Sequence, residues 1–333
     1  MMVRTGLVGT GYAAKKRAEA VLADGRAELV AIAGQSPERT HLLAQTYHAQ
    51  AETDWQTLVS RVDLDLIIVA TRNNLHGLIT RKALMTGKHV VVEYPLSLEV
   101  SEARDLVQLA NAQGKLLHVE HIELLSGIHQ TIKEAVADIG IPCYGRYASF
   151  KGEQPAPQKW SYDAQQFGFP LIGALSRVQR LLDLFGPVET VRCSNQYWAE
   201  NGQPIPLSQA TAGYSAVLCS AYLTFETGLV MDLVYGKGAC LWSRERVFDV
   251  HGTQGRLVVE PHGGSVISEE GQRTLTVGSR RGLFAKDMAM VLDTLEQGTP
   301  LYIAPETSIT ALVVAEAARR SVQSQQVINV QAI

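Results

Sequence analysis

Gly6-Leu7-Val8-Gly9-Thr10-Gly11-Tyr12-Ala13-Ala14 decides how the first part of this chain folds. Val3 and Leu7-Val8 read as a short buried strand, and Lys15 to Leu22 continues as a helix. Between them Gly9, Gly11 and Ala14 spell G-x-G-x-x-A. Gly9 makes the tight strand-to-helix turn. Gly11 lets the backbone approach a pyrophosphate, and Ala14 lets the helix pack close to the strand. Free N–H groups at the helix start favour the phosphates. The motif therefore predicts that Gly9, Thr10, Gly11, Tyr12 and Ala13 hold a dinucleotide.

Outward from this motif, Glu28 to Ala33 is a second buried strand. An NAD site usually carries an Asp or Glu at that strand's end, about 20 residues after the glycines, to accept from the ribose 2′-hydroxyl. Here the strand runs into Gly34-Gln35-Ser36-Pro37-Glu38-Arg39-Thr40, with no acid at its end. Ser36 and Arg39 could bind a 2′-phosphate, so NADPH is the expected cofactor, with NADH weaker. Leu64 to Ala70 is a third strand ending in Thr71-Arg72-Asn73-Asn74-Leu75-His76. Open α/β sheets bind ligands at that carboxyl edge, which makes Ala70, Thr71, Arg72, Asn73 and His76 cofactor candidates. Lys88 to Glu93 is a fourth strand and brings Glu93 and Tyr94 to the same edge, and Leu116 to His121 is a fifth. Helices at Arg39–Tyr47, His76–Gly87 and Ser101–Ala112 alternate with these strands, the signature of a doubly wound parallel sheet.

The pattern changes after about residue 123. A helix near Ile128 to Ile139 leads to an alternating strand, Gly145 to Phe150. A helix from about Ile172 to Phe185 precedes strand-like runs at Val188–Trp198, Tyr214–Glu226, Leu229–Tyr235, Glu245–Gly252 and Arg256–Glu260. Phe284–Gln297 and Pro305–Gln323 read as helices. The expected fold is α/β: an NADP-binding Rossmann domain over 1–123, then a substrate-binding domain over 124–333. The second domain is an α+β unit with a large open, mainly antiparallel sheet, its C-terminal helices free to pack back on the first.

A chain of 333 residues exceeds the ~250–300 at which single cores stop growing. Its 30 basic and 33 acidic residues give a net charge of −3, no field suited to nucleic acid or an anionic membrane. No apolar run reaches the ~20 residues of a membrane span. Cys143, Cys193, Cys219 and Cys240 show no C-x-x-C spacing and read as reduced thiols. The N-terminus opens directly into a strand without a leader pattern, so a cytoplasmic location is expected. A monomer and a homodimer both remain open.

Ala70-Thr71 with His76, then Ala83-Leu84-x-x-Gly87-Lys88-His89-Val90, Glu93-x-Pro95 and Gly252-Thr253-x-Gly255, resemble the glucose-fructose oxidoreductase/inositol dehydrogenase superfamily. The resemblance implies a Rossmann domain joined to an open sheet that the cofactor's nicotinamide lies against. Sugar and polyol dehydrogenases of this superfamily carry a catalytic lysine in Glu-Lys-Pro, where this chain has Tyr94. They also place an Asp and a His on the helix that here carries Ser176, Arg177 and Arg180. Alcohol oxidation needs a base for the hydroxyl proton, and the usual one is missing. One branch does match. Glu93-Tyr94-Pro95-Leu96-Ser97-Leu98, Leu117 to Leu125, Phe167-Gly168-Phe169-Pro170, Gly173-Ala174-Leu175-Ser176-Arg177 and Leu184-Phe185-Gly186 resemble the biliverdin reductases.

That resemblance implies biliverdin as substrate, with hydride moving from NADPH to its central methine carbon and a proton to a pyrrole nitrogen. A flat tetrapyrrole with two propionates needs an apolar surface and cations that grip carboxylates. The resemblance places Arg177 on the helix facing the nicotinamide, as donor to the developing charge or as positioner. Tyr94 is the second catalytic candidate. His121 is a third, as a proton source near neutral pH, beside the alternative that Glu120, His121 and Glu123 form a structural cluster. Arg177, Arg180, Arg146, Lys151, Lys237, Arg244 and Arg246 are the candidates for holding substrate. Two other readings stay open: an NADP-dependent oxidoreductase acting on a sugar or imine, and a non-catalytic NADP-binding regulator.

Overall fold

The computed structural model describes residues 2–52 and 54–333. They divide into two compact units, Met1–Ile122 with Gly282–Thr310, and Glu123–Arg281 with Ala311–Ile333. In the first, strands and helices alternate: β1 (Val3–Val8), α1 (Tyr12–Leu22), β2 (Ala27–Ala33), α2 (Pro37–Thr46), β3 (Gln50–Glu52), α3 (Trp55–Ser60), β4 (Leu66–Val69), α4 (Asn73–Met85), β5 (His89–Val92), α5 (Val100–Ala112) and β6 (Leu117–Val119). The six strands pair in parallel in the order β3-β2-β1-β4-β5-β6. This is the doubly wound order, which binds ligands outside the strand ends where the order reverses at β1 and β4. All four residues of β4 are buried, as expected of a parallel strand covered on both faces. The edge strand β3, Gln-Ala-Glu, has no apolar alternation and goes unseen in the sequence.

The second unit begins with α6 (Gly127–Ala135), β7 (Pro142–Gly152), α7 (Ala164–Phe167) and α8 (Leu175–Phe185). There follow β8 (Val188–Trp198), β9 (Pro204–Ile205), α9 (Leu207–Ala210), β10 (Ala216–Phe225), β11 (Val230–Gly238), β12 (Arg244–Gly252), β13 (Gly255–Glu260), β14 (Gly263–Ser268) and β15 (Gly271–Leu275). Beyond them the chain forms α10 (Leu283–Gln297), α11 (Pro305–Ser324) and β16 (Ile328–Asn329). The sheet runs β15-β14-β13-β12-β7-β11-β10-β8-β16, with β9 paired to β8. It is antiparallel except at its centre, where β7 and β11 pair in parallel. The sheet is thus mainly antiparallel, as expected, and the one parallel pair arises because β7 inserts between two strands that follow it in sequence. The polar strands β14 and β15 at one edge are also additions to the sequence reading.

Helix α10 belongs to the first unit, not to the second. Its buried Met288, Val291 and Leu292 share a core with Leu7, Ala14, Ala18 and Val21. In the second unit, α8 covers one sheet face. The cross-strand row Ala221, Leu233, Tyr147 and Phe248 lies under it, and Arg180 of α8 donates to the Tyr147 hydroxyl. Residues paired across neighbouring strands share a face and alternate along each strand, so the register sorts every sheet residue to one side or the other.

Candidate active site

The glycine motif forms a cradle at the end of β1. Gly9 has φ +135°, and a Cβ there would overlap the Ala70 carbonyl, so the turn admits only glycine. Gly11, the residue before α1, is different: a Cβ on it would meet nothing within 4 Å. The space beside its backbone is therefore open. Thr10 and Ala13 are half-buried, and Tyr12 is exposed. At the end of β2, Ser36 caps α2 by accepting from the Arg39 N–H at 3.4 Å. The exposed Arg39 guanidinium makes no bond among the described residues, which leaves it available to a 2′-phosphate.

At the carboxyl edge, Thr71 and Arg72 are half-buried, while Ala70 and Asn73 are buried. His76 is turned inward. Its Nδ1 lies 2.8 Å from the Pro95 carbonyl and its Nε2 3.2 Å from that of Thr71, so it braces two loops from beneath. Burial pushes its pKa down.

Behind that edge stands a buried ionic cluster that the sequence did not reveal. Arg17 of α1 is fully buried; its Nε donates to Glu93 at 2.7 Å and its Nη1 to Asp287 of α10. Asp287 also accepts from the Tyr302 hydroxyl at 2.7 Å and lies 2.8 Å from His118 Nε2. Burial opposes charge on both Arg17 and Asp287. Their mutual attraction, with Glu93 and His118, outweighs it, raising the arginine and lowering the carboxyl from their ordinary values. Glu120 is buried beside Glu93, and both effects push its carboxyl well above the usual range. In the sequence Lys15-Lys16-Arg17 looks like a solvated helix face. Only the contact with a residue 270 positions away shows otherwise.

Tyr94 is half-buried and stacks on His121, with ring centroids 5.5 Å apart and planes within 8°. His121 is itself buried. Its Nε2 lies 2.8 Å from the Ser308 hydroxyl, and its backbone N–H donates to Tyr302. Burial, with His118 nearby, pushes its pKa down to about 3. The ring is therefore neutral at ordinary pH. This corrects its expected role: as a proton source near neutral pH, His121 does not fit.

In the second unit the two arginines of α8 part company. Arg180, 2% exposed, bonds Tyr147, the Glu123 carboxylate at 3.2 Å and Ser126. It is a buried structural cation, not a free hand for substrate. Arg177 is half-buried. Its Nη1 donates to the Gly173 carbonyl at 3.0 Å and to Ser176 at 3.4 Å, and it meets no carboxylate among the described residues.

The sheet register sorts the other candidates. Lys237, Lys151 and Arg244 form one cross-strand row, and Tyr235, Ser149 and Arg246 form the next on the same face. That face is the one α8 covers, since the Tyr235 ring presses on Gly173. Three cations abreast repel, which a carboxylate ligand would relieve. Lys151 reaches Glu153 at 2.8 Å, and Arg244 is exposed. Lys237 is only 5% exposed and enclosed by aromatic rings, so it is no free anchor either. Arg146 pairs with Asp232 and Asp249 in a row of opposite parity and bonds Glu245 at 2.8 Å. It therefore lies on the other face, away from the group it was expected to join.

No helix of the described residues is long and apolar enough to cross a membrane, and they contain no cluster able to hold a metal ion. An oxidoreductase family profile with an NAD-binding Rossmann fold matches residues 3–121, and the C-terminal alpha/beta domain of the same family matches residues 133–330. Mouse biliverdin reductase A is 33% identical over 129 residues, which span 39% of this chain and 41% of the mouse protein. A biliverdin reductase from Synechocystis sp. PCC 6803, solved with biliverdin and NADP+, superposes with a TM-score of 0.91. It is 44% identical, over 96% of this chain and 98% of that one. Levoglucosan dehydrogenase, solved with NADH and levoglucosan, superposes at 0.85 over all of both chains but at 17% identity, which shows the shared fold alone. By these matches the chain belongs to the GFO/IDH/MocA oxidoreductase family, in its biliverdin reductase branch.

Proposed function

We propose that this chain reduces biliverdin to bilirubin with NADPH, by hydride transfer to the central methine carbon and protonation of a pyrrole nitrogen. The observation that carries this reading is Arg177: a guanidinium fixed to its own helix start, unmatched by any carboxylate among the described residues. It lies on α8, the helix that packs on the sheet face whose strands carry Lys151, Arg244 and Arg246. The 44% identity to a protein solved with biliverdin and NADP+ supports the same substrate and cofactor. NADPH, when bound, supplies the hydride. Gly9 to Ala13 cradle the pyrophosphate, and Ser36 and Arg39 take the 2′-phosphate that NADH lacks.

Arg177 stabilises the electron density that develops on the bilin nitrogens, as a preorganised donor already in place. A guanidinium holds its proton too tightly to give it up, so the proton arrives from water. Tyr94, stacked on His121, lines the cofactor side of the first unit. Arg244, Arg246 and Lys151 grip the propionates. Mixing the protein with NADPH and biliverdin tests the reading: the biliverdin absorption band should fall while a bilirubin band grows. Biliverdin that binds but persists in the presence of NADPH would leave the regulatory alternative.

A further inference from the structure

Lys237 holds a cation where the fold does not want one. Its ammonium lies 3.6 Å from the Phe167 ring centroid, 4.8 Å from that of Tyr162 and 5.6 Å from that of Tyr214. It donates to the Ser161 carbonyl, which also accepts from the Tyr214 hydroxyl at 3.1 Å. The charged groups around this box are Lys151, Lys159 and Glu153. The Glu153 carboxylate is already engaged by Lys151 at 2.8 Å and the Tyr162 hydroxyl at 2.7 Å. Burial, then Lys159, push the Lys237 pKa down to about 7. An unfolded lysine keeps its proton up to about 10.4, so below neutral pH the folded state bears the full cost of burying this charge. A residue that costs stability and is nonetheless enclosed by three rings points to function rather than to packing.

Its contacts lead to Arg177. The Phe167 ring that Lys237 covers presses directly on Gly173, together with Tyr235, leaving no room there for a Cβ. The Gly173 carbonyl is the acceptor that fixes the Arg177 guanidinium. We propose that Lys237 is a positioning residue for Arg177: it clamps the Ser161–Phe167 segment, which wedges Gly173 and so aims the arginine. Cation–π attraction to three rings and one carbonyl bond supply the clamp. This rests on the reduction proposed above, for which Arg177 is the donor.

Lys237→Met keeps the packing volume and removes the cation. The variant should melt higher than wild type at pH 6, with the gain fading toward pH 10 as the wild-type lysine ceases to differ from its unfolded form. Its single-turnover reduction at saturating NADPH should nonetheless slow by about ten- to a hundred-fold, the scale of a misplaced catalytic group, with biliverdin affinity held within a few-fold. Hydrogen exchange without any ligand should show lost protection across residues 160–176. Phe167→Leu, combined with Lys237→Met, should be strongly non-additive, since both cut one linkage. Should biliverdin affinity collapse while the saturated rate is kept, Lys237 is a carboxylate anchor and the proposal is wrong. An unchanged rate with unchanged exchange also overturns it. A wild type inert toward biliverdin would sink the proposed reaction alone; hydrogen exchange would then decide whether the clamp exists.

Discussion

Two groups of charge in this molecule look alike in sequence and behave in opposite ways. In the first unit, Arg17 is buried among Glu93, Asp287 and their partners, with two carboxylates on one guanidinium. In the second, Arg177 is half-buried and, among the described residues, bonds a carbonyl and a hydroxyl. A buried ion pair matched on both sides holds structure, and breaking it leaves an uncompensated charge. A cation without an anion is a place where one can arrive. The arginines of α8 repeat the lesson within one helix: Arg180 is tied to Glu123 and Tyr147, whereas Arg177, three positions earlier, meets no carboxylate among the described residues.

The most damaging test of this contrast is Asp287→Asn. It removes the charge that Arg17, His118 and Tyr302 share, and should destabilise the protein by about 3–5 kcal/mol in urea unfolding at pH 7. The sign with pH follows from the lowered folded-state value of Asp287. Its contribution is full above the unfolded pKa of about 3.9 and is lost as pH falls through the folded one. Wild type should therefore lose stability in acid more steeply than the variant. Equal acid limbs would show that the cluster is not held by charge.

Arg177→Ala should do the reverse, leaving stability within about 0.5 kcal/mol. The saturated single-turnover rate should fall by ~10²–10³, as for the loss of one preorganised donor. Arg177→Lys should lie between, because it retains a donor without the planar fork. A large stability loss in Arg177→Ala would erase the distinction drawn between the two arginines.

Smaller effects sharpen the picture at the edges. Arg39→Ala should raise the NADPH Michaelis constant about tenfold, near 1.4 kcal/mol, and leave the NADH value almost unchanged. Equal changes for both cofactors would remove Arg39 from the 2′-phosphate. The smallest expected effect is none at all. With a pKa of about 3, His121 contributes no titration between pH 5 and 8, so His121→Phe should keep the shape of the pH–rate profile. Loss of a limb near neutral pH in that variant would restore the histidine as an acid.

Much of the fold was legible because it rests on local rules. The glycine motif, the alternation of apolar strands with amphipathic helices and the missing acid after β2 each lie within a short window, and the doubly wound class followed from them; the strand order came from the structure. The strands overlooked include β3, β14 and β15, short runs with few apolar residues and little burial to impose a period. Arg177 and Tyr94 could be singled out from motif positions. Arg17 could not, since its partner Asp287 is remote in sequence, nor could the parity that separates Arg146 from Arg244 and Arg246.

By itself the sequence determined the glycine turn and the two-part architecture, because turn sterics and periodic burial act over a few residues, while its motifs carried the resemblance to the family. The tertiary structure decided which charges are matched. His121 became neutral through burial, Arg180 became structural through Glu123, and Lys237 came to fill an aromatic box through strands and loops far apart in the chain. Charge and dielectric are set by neighbours in space. A lysine or histidine read in a line of letters carries only its ordinary pKa until the fold supplies them.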